Sequence, residues 1–218
     1  MAELLRPDIC VIGAGSGGLS VAAAAAAFGV PVVLVEQGKM GGDCLNYGCV
    51  PSKALIAAGK HAKWLADAPR FGIHAGAPAI DFAAVHAHVH DVIAAIAPTD
   101  SAARFAGLGV RVLRGHARFA DRDTVVVDET EIKARRFVVA TGSAPAAPPI
   151  PGLADTPYLT NETVFDLTEC PRRLVVIGGG PVGLELGQAF RRLGAAVTVI
   201  EAAAPLGRDD PECAAVVL

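Results

Sequence analysis

Aromatic side chains are scarce in this chain, at 5% of 218 residues, with one tryptophan and two tyrosines. Hydrophobic residues still reach 52%, so any core must be mainly aliphatic. No charge dominates. A formal net charge of -3 gives no basic field to attract nucleic acid. Cysteine is thin and odd in number: Cys10, Cys44, Cys49, Cys170 and Cys213. Such a scatter is not a secreted disulfide framework. A reducing cytoplasm is the expected compartment, where a disulfide is more often catalytic than structural. From Ile9 to Val35 charge is missing altogether, and residues 22–27 are all alanine. A membrane span or signal peptide is the competing reading of that stretch. Gly13, Gly15, Gly17, Gly18, Gly29 and Pro31 interrupt it, and Glu3 and Asp8 offset Arg6, so neither is expected.

What is present instead is a strand, a glycine turn, a helix and a second strand. Asp8–Ile12 is a short apolar run of the kind found in buried parallel strands. GAGSGG follows, then an alanine-rich helix from about Leu19 to Phe28, a glycine stop, and a strand over Val32–Val35 that ends at Glu36. The pattern returns as Leu174–Ile177, GGGPVG, a helix over Leu184–Leu193, and a strand over Val197–Ile200 that ends at Glu201. Ile12–Glu36 and Ile177–Glu201 align without a gap, which makes an internal repeat. Between them, Ala54–Ala66 and Phe82–Phe105 read as helices. Arg111–Leu113, Thr124–Val127 and Phe137–Ala140 read as strands. Ala144–Pro157 is proline-rich and reads as a linker. The expected fold is α/β, with two Rossmann-type, three-layer dinucleotide-binding units. Residues 1–150 form the first domain and 151–218 the start of the second.

Each glycine turn has a chemical reading. Gly13, Gly15 and Gly18 follow a strand, open a helix and precede an acid at the fingerprint distance. The first glycine makes the tight turn, the second admits a pyrophosphate, and the third lets helix and strand close up. The helix N-terminus offers N–H groups and the positive end of its dipole. Glu36 is placed to accept from ribose hydroxyls. Gly178, Gly180 and Gly183 repeat the pattern, with Glu201 as the ribose acid. Glu201 would repel a 2′-phosphate, so NADH is favoured over NADPH. Two such sites suggest an enzyme passing electrons between two dinucleotides.

Cys44 and Cys49 begin just after the first of these sites, in GGDCLNYGCVPSK. Zinc would need further Cys or His ligands at short spacing, and a structural disulfide fits poorly beside a cofactor loop in a cytoplasmic chain. The remaining reading is a redox-active pair beside a flavin, which exchanges with an external disulfide. A helix beginning near Cys49 would favour its thiolate.

GAGSGG with its glutamate, GGDCLNYGCVPSK, the ATGS of Ala140–Ser143 and GGGPVGLE, in that order, resemble the class I pyridine nucleotide–disulfide oxidoreductases. These include dihydrolipoamide dehydrogenase, glutathione reductase and mercuric reductase. The resemblance covers essentially the whole chain. It implies FAD at the first turn, where Ser16, Gly17, Gly42 and Asp43 join the fingerprint glycines. It implies NAD(P)H at the second, where Pro181 and Val182 join them. It implies that Cys44 meets substrate and Cys49 faces the flavin. Lys53 would stand near the reacting end of the flavin, and Glu185 at the nicotinamide end. Gly115 and Ala117 would touch adenine through the backbone, and Thr141, Gly142 and Ser143 would form a second FAD-contacting turn. Family members run to roughly twice this length, in several domains of ordinary size, so the chain reads as a C-terminally truncated form. No residue matches the family's His–Glu base, and the family's homodimer would need its missing interface domain. A dithiol or disulfide, small or protein-bound, is the implied substrate. A mercuric-reductase-like metal-ion reductase and an inactive nucleotide-binding fragment are the alternatives. A flavin monooxygenase would share the paired turns but has no use for Cys44 and Cys49. His86, His88 and His90 lack further ligands and read as a solvated face, so no metal is expected. Cys10 reads as a small buried hydrophobe, Cys170 and Cys213 lack chemical context, and Trp64 and Tyr47 read as packing or pocket-wall residues rather than catalysts.

Overall fold

The computed structural model describes residues 3–74, 76 and 78–218. These divide into two compact units, one of residues 1–50 and 92–163, the other of 51–91 and 164–218.

The first unit is organised by β-branched runs. β2 (Ile9–Ile12) and β3 (Val32–Glu36) are too apolar to face water on either side, so they form the middle of a parallel sheet. β4 (Arg111–Arg114) and β8 (Arg136–Val139) flank them in the order β4-β3-β2-β8. Side chains alternate between its two faces. Val11, Val32 and Leu34 point to one side, where they pack with Leu19, Ala22 and Ala25 of α1 (Ser16–Ala27) and with Phe105 of α5 (Ala102–Gly107). Cys10, Val33 and Val35 point to the other side, against Val125, Val127 and Ile132. Those three residues belong to a second sheet, β1-β7-β6-β5, built from β1 (Glu3–Leu5), β7 (Thr130–Ile132), β6 (Thr124–Val127) and β5 (Arg118–Asp121). Helices, parallel sheet and small sheet make the three layers. The alanines of α1 suit this packing, because small side chains bring the helix close to the sheet.

The second unit holds β9 (Arg173–Ile177) paired in parallel with β10 (Ala196–Ile200), and α6 (Pro181–Arg192) between them in sequence. Most of α3 (Cys49–Asp67), the first part of α4 (Phe82–Ile96) and α7 (Pro211–Val217) also belong to it. Gly59 of α3 lies against α6, where an added Cβ would stand 3.1 Å from the Ala189 carbonyl oxygen. Phe82 stacks on Phe190 at 5.9 Å. The fold is therefore α/β with two Rossmann-type units, as the repeat implies.

The repeat holds bond for bond. Gly13 N–H donates to Val35 O and Gly178 N–H to Ile200 O, both at 2.8 Å. Gly41 N–H donates to Ala14 O and Leu206 N–H to Gly179 O, both at 2.9 Å. Leu206 stands at φ 54°, a left-handed conformation that its counterpart Gly41 adopts at φ 86° without a Cβ penalty. The structure thus carries the repeat past Glu36 and Glu201, where the sequence similarity fades.

The single helix expected over Phe82–Phe105 is a correction. It is three pieces: α4, a 3-10 turn over Ala97–Asp100, and α5. Pro98 cannot donate and clashes with the preceding turn, and Ser101 then caps α5 by accepting from Arg104 N–H at 3.2 Å. The strands β1, β5 and β7 carry too many charges to stand out as apolar runs.

The third fingerprint glycine has a measurable packing role. A Cβ on Gly18 would sit 1.8 Å from the Gly13 carbonyl oxygen, whereas one on Gly17 would meet nothing within 4 Å. Gly18→Ala should lower stability by about 1–3 kcal/mol or more. Gly17→Ala, in the same helix turn, should raise it by up to about 0.5–1 kcal/mol. Urea unfolding midpoints decide the matter, and equal shifts in both variants would sink the packing account.

Candidate functional site

The first glycine turn sits at the carboxyl edge of the parallel sheet, where open α/β sheets bind ligands. Gly13 has φ 105°, and a Cβ there would lie 2.2 Å from Ala140 O and 3.2 Å from the Thr141 Cα. The turn and the Thr141–Gly142–Ser143 segment are therefore neighbours. Ala140 N–H donates to Ile12 O at 2.8 Å, which fixes that approach. Gly142 and Ser143 are exposed.

Glu36 ties this edge together. Its Oε2 accepts from Ala14 N–H and its Oε1 from Gly38 N–H, each at 2.6 Å. Its carbonyl accepts from Gly115 N–H at 3.0 Å, which brings the predicted adenine-side segment to the predicted ribose acid. Ala117 packs against the cluster around Cys10. In the second unit Glu201 repeats the arrangement, accepting from Gly179 N–H at 2.7 Å and Ala203 N–H at 3.1 Å. Those backbone donors hold its carboxyl below the usual range. It is therefore an anion at neutral pH and becomes a neutral acid only as pH falls past that lowered value.

Gly15 is the N-cap of α1 and Gly180 that of α6, and neither helix start is capped by a side chain. The first-turn donors of Ser16, Gly17 and Gly18 stand above a glycine with no Cβ. Gly42 approaches Gly15 so closely that an added Cβ would lie 2.6 Å from the Gly15 Cα. This cradle, with its N–H groups and helix dipole, fits the pyrophosphate of a dinucleotide. Gly180, Pro181, Val182 and Gly183 form the equivalent start of α6, and Pro181 at the first helical position gives up only a donor that no helical carbonyl needs.

The cysteine loop follows directly. α2 (Gly42–Asn46) carries Cys44, and α3 begins at Cys49, as the dipole reading of the sequence expects. Cys44 is half-buried and Cys49 exposed, both as thiols. A hydrogen bond with the Cys49 side chain, then burial, push the Cys44 thiol up to about 11. Asn46 Nδ2 donates to Met40 O at 3.0 Å and Gly42 O at 2.8 Å. Asn161 Nδ2 donates to Asp43 Oδ1 at 2.9 Å. Neither asparagine stands out in the sequence. Asn46 acts as a local brace on α2. Asn161 is distant along the chain, and only the fold brings it to the loop.

Within the second unit Lys53 Nζ donates to Glu185 Oε2 at 2.5 Å. Their side chains are 61% and 45% exposed, so the pair contributes only about 0–1 kcal/mol of stability. It does orient the two residues toward one another. His86 and His90 have ring centroids 4.3 Å apart, and His90 Nε2 is 3.2 Å from Phe165 O. Among the described residues no group of three or more His, Cys, Asp or Glu could hold a metal ion. Trp64 is 55% exposed on α3, with Lys60 Nζ 4.7 Å from its ring centroid. No described helix is long and apolar enough to cross a membrane.

This chain belongs to the pyridine nucleotide-disulphide oxidoreductases, whose family model matches residues 7–218. It is 40% identical over 217 residues to a mercuric reductase of Streptomyces lividans, covering 95% of this chain and 45% of that one. It is 38% identical over 210 residues to a dihydrolipoyl dehydrogenase of Pseudomonas aeruginosa, covering 93% of this chain and 45% of that one. A solved relative is an HOCl-induced flavoprotein disulfide reductase of Escherichia coli, in its Cu(II) complex. It superposes with a TM-score of 0.80 at 28% identity, over 96% of this chain and 45% of that one. The chain thus spans less than half the length of these relatives.

The Cys44–Cys49 bond makes a sign-definite prediction. Cys49→Ala removes the largest cause of the raised Cys44 pKa, so the thiolate fraction at pH 8 must rise. Each unit of lowering gives about tenfold more thiolate of about threefold lower nucleophilicity, a net gain of about threefold. Iodoacetamide labelling of Cys44, followed by mass spectrometry, should be about threefold or more faster in the variant. A slower or unchanged rate would remove Cys49 as the cause.

Proposed function

We propose that this chain is the electron-relaying part of an FAD-dependent, NAD(P)H-linked disulfide oxidoreductase. FAD is taken at the first glycine turn and NAD(P)H at the second. The observation that carries this reading is the hydrogen-bonded thiol pair on the loop whose Gly42 lies against Gly15. Cys44 and Cys49 are thereby held beside the cradle that fits a dinucleotide. When bound, FAD supplies the two-electron link between nicotinamide and sulfur.

The protein's own groups divide the remaining work. Ser16, Gly17 and Gly18 present backbone donors to pyrophosphate, and Glu36 keeps the turn in shape while offering its remaining lone pairs to ribose. Glu201 does the same in the second unit, and its anionic carboxylate favours NADH over NADPH. Lys53 holds positive charge near the reacting centre, and Glu185 aims it. Cys44 exchanges with the substrate, and Cys49 receives electrons from the cofactor side. The substrate is a dithiol or disulfide, as for a dihydrolipoamide dehydrogenase. A protein of the relatives' length would be a cytoplasmic homodimer.

A metal-ion substrate is the second reading. It is favoured by the mercuric reductases among the relatives, at 40% identity for that of Streptomyces lividans. A cysteine pair whose disulfide is reduced to the dithiol by a cofactor can pass those two electrons to a soft metal ion as well as to a substrate disulfide, re-forming its own S–S bond.

The test is a visible spectrum of the purified chain before and after anaerobic NADH, with thiol trapping at each stage. A flavin spectrum that bleaches while Cys44 and Cys49 turn from disulfide to alkylatable thiols supports the reading. A Cys44→Ser variant should keep the flavin, still bleach, and lose disulfide reduction. Bleaching in the unsubstituted chain with the cysteines left as a disulfide would refute the electron path. Oxidation of NADH driven by lipoamide or by mercury(II) separates the two substrate readings.

A further inference from the structure

Asp43 and Asn161 form a contact that the proposed chemistry leaves unexplained. Asp43 immediately precedes Cys44, and its Oδ1 accepts from Asn161 Nδ2 at 2.9 Å. Its Oδ2 lies over Gly48, where an added Cβ would come within 2.7 Å of it. Gly48 immediately precedes Cys49, so one carboxylate lies beside both ends of the loop between the cysteines. The loop's own backbone agrees, because Tyr47 N–H donates to Asp43 O at 2.8 Å. Asn161 also reaches the Tyr47 carbonyl, at 3.5 Å.

Asn161 is itself held. Thr163 N–H donates to Thr160 O at 3.1 Å, Thr160 N–H to Thr163 Oγ1 at 3.0 Å, and Glu162 N–H to Thr160 Oγ1 at 3.2 Å. The turn over 160–163 is closed from both sides, and the asparagine projects from it as a fixed donor. A carboxylate facing a rigid amide is an ordering device rather than a free ligand.

We infer that Asn161 is a positioning residue: through Asp43 it holds the Cys44–Cys49 loop in the ring-closing geometry and so tunes the pair's disulfide equilibrium. The inference rests on the redox reading of the pair. It shifts Asp43 from the cofactor set, where sequence resemblance puts it, to the support of the loop. Ordering the loop in the dithiol state removes entropy that ring closure would otherwise lose. Releasing it must therefore favour the dithiol.

The test needs no flavin. The purified chain is equilibrated with glutathione and glutathione disulfide, then trapped by alkylation and weighed. Glutathione disulfide gains two electrons and becomes two thiols, while the Cys44 and Cys49 S–H bonds are replaced by one S–S bond. Asn161→Ala should shift the equilibrium toward the dithiol by about threefold to tenfold, the weight of one ordinary hydrogen bond at an exposed contact. Asp43→Ala should give a similar shift, and the double variant no more than either alone, since all three lose one clasp. Asp43→Asn, which keeps an acceptor for Asn161, should stay within about twofold of the unsubstituted chain.

An equilibrium that ignores Asn161→Ala, or effects that add in the double variant, would overturn the inference while leaving the redox pair intact. Failure of the unsubstituted chain to form the Cys44–Cys49 disulfide at any glutathione ratio would overturn both. A loss of general stability alone would lower the urea midpoint without the non-additive shift, and that outcome also counts against the inference.

Discussion

Two backbone N–H groups converge on the Glu36 carboxylate, and most of what the first unit can do depends on that convergence. Ala14 N–H lies in the glycine turn and Gly38 N–H in the loop after β3. Without an acceptor between them, the turn would expose donors at a half-buried edge, and unmet donors there are costly. With it, the turn is locked to β3, the loop of residues 37–42 is aimed back at Gly15, and the cysteine loop starts from a fixed point. The acid that fingerprint reasoning gives to the ribose is thus also the fastener of the site. Glu201 has the same double duty around Gly179 and Ala203.

The two units differ in how well they bury what they hold. In the first, both faces of the parallel sheet are covered, and Cys10, Val11 and Leu34 are fully buried. In the second, β9 and β10 make a two-stranded sheet whose Val175, Ile177 and Ile200 are 58%, 49% and 55% exposed. A two-stranded pair has little independent stability, and its strands are as apolar as the covered ones. Their composition suits a sheet buried on both faces. Local opening should therefore be easier around β9 and β10 than around β2 and β3.

The sequence is most informative where chemistry and backbone geometry demand the same residue. Gly13 must take a positive φ, Gly18 must lack a Cβ, and Glu36 must end its strand, so the whole βαβ unit can be read in advance and then found again from Ile177 to Glu201. Helix α3 is legible at its start because Cys49 precedes Pro51, a residue at home in a first helical turn. Legibility fails where the cause is non-local. β1 and β7 are short and charged, and they exist because they pair with each other across most of the first unit. Asn161 meets Asp43 only through the tertiary fold. The break at Pro98 was readable, since a proline inside a helical pattern is a stop signal, but the surrounding apolar residues outweigh it in a count of periodicity.

Cys10 and Cys44 show that two thiols can be raised for different physical reasons. Both thiols are pushed up, Cys10 to about 12 and Cys44 to about 11. For Cys10 the cause is desolvation in an aliphatic cluster, which nothing short of unfolding removes, so it is inert. For Cys44 the largest cause is another sulfur, and oxidation to a disulfide abolishes it. On the redox reading proposed for the pair, oxidation would replace the two S–H bonds by one S–S bond and release two electrons together. On that reading, the loop that holds Cys44 and Cys49 within hydrogen-bonding reach is what distinguishes this pair from the buried Cys10.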